Sequence, residues 1–82
     1  MRLDKYLKVT RLIKRRTVAN NACDDAKITV NGKITKASYS VKIGDEIQIS
    51  FGERTLKVRV SSIVESIHKS DAASMYEVIE NQ

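Results

Sequence analysis

Ile28-Thr29-Val30-Asn31-Gly32-Lys33-Ile34-Thr35 places alternating apolar and polar residues on either side of an Asn-Gly pair. Asn and Gly are the two residues that tolerate positive φ in succession, which a type I′ turn requires, so the stretch predicts a tight antiparallel hairpin over 28–35. Downstream the same period of two returns. Ile47-Gln48-Ile49-Ser50-Phe51 follows a turn at Gly44-Asp45 and pairs across Gly52-Glu53 with Leu56-Lys57-Val58-Arg59-Val60. Ser61-Ser62 interrupts the alternation and reads as a bulge. Ala72, Met75, Tyr76 and Ile79 then fall at helical spacing behind Ser70 or Asp71 as a cap, which predicts a short C-terminal helix.

Upstream the period is helical. Leu3, Tyr6 and Leu7 share one face at 100° per residue while Lys5 and Lys8 point away, and Asp4 sits in the first turn, where a carboxylate suits the helix dipole. Extending this helix past Thr10 would place Leu12 on the basic face, so it ends near Val9 and residues 10–16 form a turn. Thr17 then caps a second helix over 18–25. Its buried face is expected from two rows of residues spaced by four, Val18-Ala22-Ala26 and Ala19-Cys23, whose small side chains allow close packing. The expected fold is α+β. Two N-terminal helices pack on a small, mostly antiparallel sheet, with a short C-terminal helix. The chain is one domain over 1–82, its motif-bearing part in about 1–50 and the second hairpin and last helix in 46–82. Tyr6 and Phe51 are expected in the core.

The 82 residues carry a net charge of +5, divided unevenly. Residues 1–36 hold ten Lys or Arg against three acids, and 37–82 hold five against seven, or +7 and −2. A one-sided positive field attracts polyanions, so nucleic acid is the first candidate partner for the segment from Arg2 to about Lys36. The alternatives are a solvated basic face, an anionic membrane or an acidic protein. No apolar run approaches the ~20 residues of a membrane span, and Arg or Lys at every third position of the first fifteen leaves no signal-peptide core. A cytoplasmic protein is expected. The single cysteine agrees with a reducing compartment.

Catalytic groups are sparse. His68 is the one histidine and stands in a polar stretch, so an exposed loop residue is expected; Cys23 lies on an apolar helical row, where packing is the simpler role. One Cys and one His cannot build a structural zinc site, and three dispersed glycines make no phosphate loop. Asp24-Asp25 adjoins a helix C-terminus and reads as solubilising charge. No catalytic residue, metal or cofactor is expected. The basic residues are the better candidates. Lys14, Arg15 and Arg16 precede the second helix, where guanidinium groups and free N–H groups meet a phosphate together. Arg2 and Arg11 would extend that surface and Lys36 would close it. Lys5 and Lys8 are possible additional contacts, and Tyr39 is either a base-stacking platform or a half-buried loop residue.

In this order, Arg2-Leu3-Asp4-Lys5-Tyr6-Leu7, Arg11, Arg16-Thr17-Val18-Ala19, Ile28-Thr29-Val30-Asn31-Gly32 and Val41-Lys42-Ile43-Gly44-Asp45 resemble the ribosomal-protein-S-four-type RNA-binding domain. The length and the ending Asp71-Ala72-Ala73-Ser74-Met75-Tyr76 are similar to its heat-shock-protein-fifteen-like group, and within it to the ribosome-associated quality-control (RqcP) branch of Gram-positive bacteria. The resemblance implies a non-enzymatic, monomeric protein. It would bind rRNA and P-site tRNA on an obstructed large ribosomal subunit while an RqcH-type factor extends the stalled chain with alanine. It further implies that Arg2 and Arg16 contact RNA backbone with Arg11, Lys14 and Arg15 in support, and that Asp4 is either a helix cap or a polar contact on that surface. Alternatives are a general rRNA- or tRNA-binding stress or assembly factor, and a protein adaptor using the acidic C-terminal half. Three positions depart from the pattern. Ala26 stands where glycine is usual, Ala37 where proline is common, and Asn20 where a basic residue is frequent.

Overall fold

A computed structural model describes residues 1–63 and 74–81. Two helices, α1 (Leu3–Val9) and α2 (Arg16–Asp24), precede strands β1 (Ile28–Val30), β2 (Lys33–Ile34), β3 (Glu46–Phe51), β4 (Arg54–Val60) and β5 (Tyr76–Asn81). The strands form one antiparallel sheet in the order β2-β1-β3-β4-β5. The expected α+β architecture is present.

The Asn-Gly hairpin forms as its residues dictate. Asn31 and Gly32 take φ of 53° and 82°, and Val30 pairs with Lys33. Ile28, Val30, Ile47, Ile49, Val58 and Val60 point inward by strand alternation and meet Leu3, Tyr6 and Leu7 from α1, with Ala19 and Cys23 from α2. Tyr6 is wholly buried, and its hydroxyl donates to the Met75 carbonyl at 2.7 Å. The opposite face of the sheet is polar. There Glu46 sits 3.3 Å from Lys57 and 3.6 Å from Arg59, which also reaches Glu77 at 3.9 Å.

Both helices end in a left-handed residue that is not glycine. Arg11 closes α1 at φ 62°, its N–H donating to the Lys8 carbonyl. Ala26 closes α2 at φ 59° in a Schellman arrangement, Ala26 N–H to Cys23 C=O and Lys27 N–H to Ala22 C=O. The Cβ of Ala26 opposes that conformation by about 1 kcal/mol. Ala26→Gly is therefore expected to stabilise the domain by up to about 0.6 kcal/mol, after allowing for glycine's greater freedom when unfolded. The urea unfolding midpoint reports the gain; a lower midpoint would refute the strain at this position.

Several expectations are corrected. Residues 76–81 are an edge strand, not a helix. Tyr76, Glu77 and Val78 pair with Val60, Arg59 and Val58, because the open edge of β4 offers hydrogen bonds along its length that a short isolated helix could not match. Ala72, His68 and the expected caps Ser70 and Asp71 lie outside the described residues. The register irregularity falls between Lys57 and Val58, while Ser61 and Ser62 instead both donate their N–H groups to the Met75 carbonyl. Helix α2 starts at Arg16, since the Arg15 carbonyl already accepts from Ala19 N–H; Thr17 is thus inside the first turn and is no cap. Of the two apolar rows on α2 only Ala19-Cys23 is buried, and Val18 is 51% exposed. Phe51 continues the inward face of β3 beyond the reach of the helices and is 47% exposed. Among the described residues, no helix is long and apolar enough to cross a membrane.

Candidate nucleic-acid interface

Arg2 immediately precedes α1, and Arg16 opens α2. The packing of α1 on α2 through Leu3, Leu7, Ala19 and Cys23 brings them together across fourteen positions of sequence. The group that joins them is Asp4. Its carboxylate is 2% exposed and accepts from Arg2 Nε at 3.2 Å and Asn20 Nδ2 at 3.4 Å, lies 3.4 Å from Arg16 Nε, and accepts the Lys5 backbone N–H at 2.8 Å. Asp4 is not the helix cap, because Arg2 occupies that position and Asp4 is the second residue of α1. It satisfies one N–H of the first turn of α1, and it pins two guanidinium groups at the surface. Each arginine side chain stays 49% exposed, so the unused N–H groups face solvent.

Burial alone would raise the Asp4 pKa and is the largest single influence. The hydrogen bonds from Asn20, Arg2, the Lys5 backbone and Arg16 together outweigh it, and the group titrates below the usual carboxylate value of 3.8. At neutral pH the site is therefore an ionised carboxylate with two cations fixed on it. With Thr17 and Asn20 these residues line a shallow cleft of about 350 Å³. Arg2 spends Nε and Nη2 on Asp4, so what remains for phosphate oxygens is the guanidinium N–H groups that Asp4 does not take.

Thr17 and Asn20 were not among the sequence candidates. Asn20 donates to Asp4, and the signal for it is its spacing of four from Arg16, which puts both on one face of α2. Lys8 stands one turn beyond Asp4 on α1, and Lys36 precedes Ala37, whose carbonyl accepts the Asp4 N–H. Both are exposed, and neither lines the cleft; Lys36 lines a depression beside the Asn-Gly hairpin instead. Arg11 is exposed on the left-handed turn after α1. Lys14 and Arg15 turn to the other side of α2, toward Val18 and Phe51, and do not join Arg2 and Arg16. Lys5 is half-buried beside Asp4.

Tyr39 is half-buried in its loop. Its ring packs against the core and its hydroxyl donates to Asp45 Oδ2 at 2.8 Å. Asp45, 7% exposed, also accepts from Asn31 Nδ2 at 3.1 Å and the Lys42 N–H at 2.9 Å, tying the Asn-Gly hairpin to the Gly44-Asp45 turn. Burial opposes its ionisation, but these bonds prevail and its pKa is also lowered. Cys23 is buried, and desolvation followed by the nearby Asp4 and Asp24 charges pushes its thiol up to about 11, so it carries no thiolate at neutral pH. Among the described residues no cluster of three His, Cys, Asp or Glu is placed to hold a metal.

Comparison with known proteins bears on the same region. The S4 domain family matches residues 1–47, which contain every residue of the cleft. The RQC P-site tRNA stabilizing factor of Streptococcus pneumoniae is 52% identical over 79 residues, covering 96% of this chain and 90% of the relative. That of Halalkalibacterium halodurans is 50% identical over 78 residues, or 95% and 89%. The trimeric heat shock protein 15 of Vibrio cholerae superposes with a TM-score of 0.87 at 30% identity over 95% of this chain and 80% of that one.

Proposed function

We infer that this chain, which belongs to the S4-domain family and within it to the RQC P-site tRNA stabilizing factors, binds tRNA and rRNA on the large ribosomal subunit during ribosome quality control. The observation that carries the reading is the Arg2–Asp4–Arg16 cluster, two exposed guanidinium groups held by one buried carboxylate within the S4-matched segment. The chain binds and steadies RNA without catalysing a reaction. It acts in the cytoplasm on subunits obstructed by peptidyl-tRNA, as a monomer, while an RqcH-type factor extends the nascent chain with alanine.

The physical mechanism is electrostatic and geometric. An RNA helix hides its major-groove base edges, so side chains on so small a surface read backbone, shape and 2′-hydroxyls. Arg2 and Arg16 are fixed before RNA arrives, which lowers the entropy lost in forming the contact. Lys8, Arg11 and Lys36 extend the positive surface on either side. Lys14 and Arg15 contribute to the field at longer range.

Binding to purified large subunits carrying peptidyl-tRNA, measured across potassium chloride concentrations, tests this. With about 4–6 phosphate contacts, log K against log salt is expected to slope at about −3 to −5. Subunits stripped of tRNA are expected to bind more weakly. A flat salt response, or equal binding to both kinds of subunit, would overturn the reading.

A further inference from the structure

Helix α2 has three working faces. Ala19 and Cys23 enter the core, and Arg16 and Asn20 face the cleft. The third, Val18, Asn21, Ala22 and Asp25, lies roughly opposite Arg16 at 100° per residue and forms one wall of a groove of about 670 Å³. The far wall is the end of β3, Ile49 to Phe51, and the floor includes Leu12 and Ile13. Val18 and Phe51, at 51% and 47% exposure, are large apolar side chains that the core does not use. Lys14, Arg15 and Lys27 stand on the rim against the single acid Asp25.

This composition discriminates among occupants. RNA would satisfy the rim but brings little to cover Val18, Ile49 and Phe51 together. A second copy of the chain would set one cationic rim against another. A protein segment that inserts one or two apolar side chains and flanks them with carboxylates satisfies both floor and rim, and the groove is roomy enough to take them. We propose that this groove docks an acidic, apolar-anchored segment of a partner protein. The RNA cleft on the other side of α2 stays open when it does. The proposal stands whether or not the RNA reading holds.

The test uses the full-length, isotopically labelled protein and two synthetic amphipathic peptides. They share Leu and Phe at positions i and i+4; one is flanked by glutamates, the other by lysines. The glutamate peptide is expected to shift the amide resonances of Val18, Ala22, Phe51 and Gly52 and to leave Arg2 unmoved. Val18→Asn with Phe51→Ser, both at exposed positions, should weaken that peptide at least about tenfold while binding to large subunits is retained. Lys27→Glu, which alters only a rim charge, should reduce the preference for glutamate over lysine. Four results would each overturn the proposal. These are equal response to both peptides, peptide shifts centred on Arg2 and Arg16, displacement of the peptide by an RNA hairpin, and self-association abolished by the Val18 and Phe51 changes.

Discussion

With Arg2 and Arg16 both changed to glutamine, affinity for tRNA-bearing large subunits falls at least about a hundredfold and the salt slope becomes shallower by about 1.4–1.8. Each arginine supplies a charge-assisted contact of about 1.5–3 kcal/mol, and about 1.4 kcal/mol is a factor of ten, so losing two gives the affinity change. The slope changes because each lost phosphate contact removes about 0.7–0.9 from it. Glutamine is chosen because its amide still donates to Asp4, whose carboxylate accepts from Arg2 and lies 3.4 Å from Arg16 Nε. Glutamate would set two further anions on a buried one and confuse loss of binding with loss of fold. Arg59→Gln is the matched control, since Arg59 pairs with Glu46 and Glu77 on the opposite face of the sheet. Co-sedimentation and circular dichroism decide the matter. A double variant that binds like the parent has no use for the cleft.

Asp4→Ala is expected to remove about 2 kcal/mol of stability, which in a domain of this size lowers the melting temperature by about 8–16 °C. The carboxylate gathers donors from Arg2, Asn20 and the Lys5 backbone with Arg16 beside it, but both arginines are half exposed and can turn to water. The loss therefore falls short of that for a fully buried ion pair, about 3–5 kcal/mol. The same carboxylate makes stability depend on pH. Its folded pKa lies below the ordinary 3.8, so the folded state binds fewer protons there than the unfolded chain. The contribution is complete above that value and disappears as the pH falls through the lower folded value. Asp45 acts with the same sign. Melting temperatures taken from about pH 7 to about pH 2.5 should hold steady and then drop below about pH 4, with a smaller drop in Asp4→Ala. An acid limb of equal depth in the variant would exclude Asp4 as its source.

What could be read from sequence follows from how local each signal is. Asn31-Gly32 specifies its turn by backbone conformation alone, and the alternations of 47–51 and 56–60 specify two strands and their facing sides. The first helix was legible because Leu12 would have been misplaced by any extension. Tyr76 to Asn81 was misread because Ala72, Met75, Tyr76 and Ile79 fit a helix while Tyr76 and Val78 equally fit a strand. Only the open edge of β4 decides between them. Val18 failed for a related reason. On a nine-residue helix two neighbouring rows of small apolar residues look alike until α1 selects one. At the candidate site, the basic residue types were visible but their grouping was not. Arg16 and Arg15 are adjacent in sequence and diverge in space, whereas Arg2 and Arg16 converge through a carboxylate that sequence left undecided between two roles.

The bond from the Tyr6 hydroxyl to the Met75 carbonyl has a consequence for the autonomy of the RNA-binding part. The family-matched residues stop at Ile47, so they carry the cleft but lack the acceptor that satisfies a phenol in the middle of the protein interior. Ile49, Val58 and Val60, which complete the packing around α1, lie beyond the same limit. An excised N-terminal half would strand that hydroxyl in an unfinished interior. Transplanting the cleft onto another scaffold therefore means carrying β3, β4 and the Met75 backbone along with the first helix.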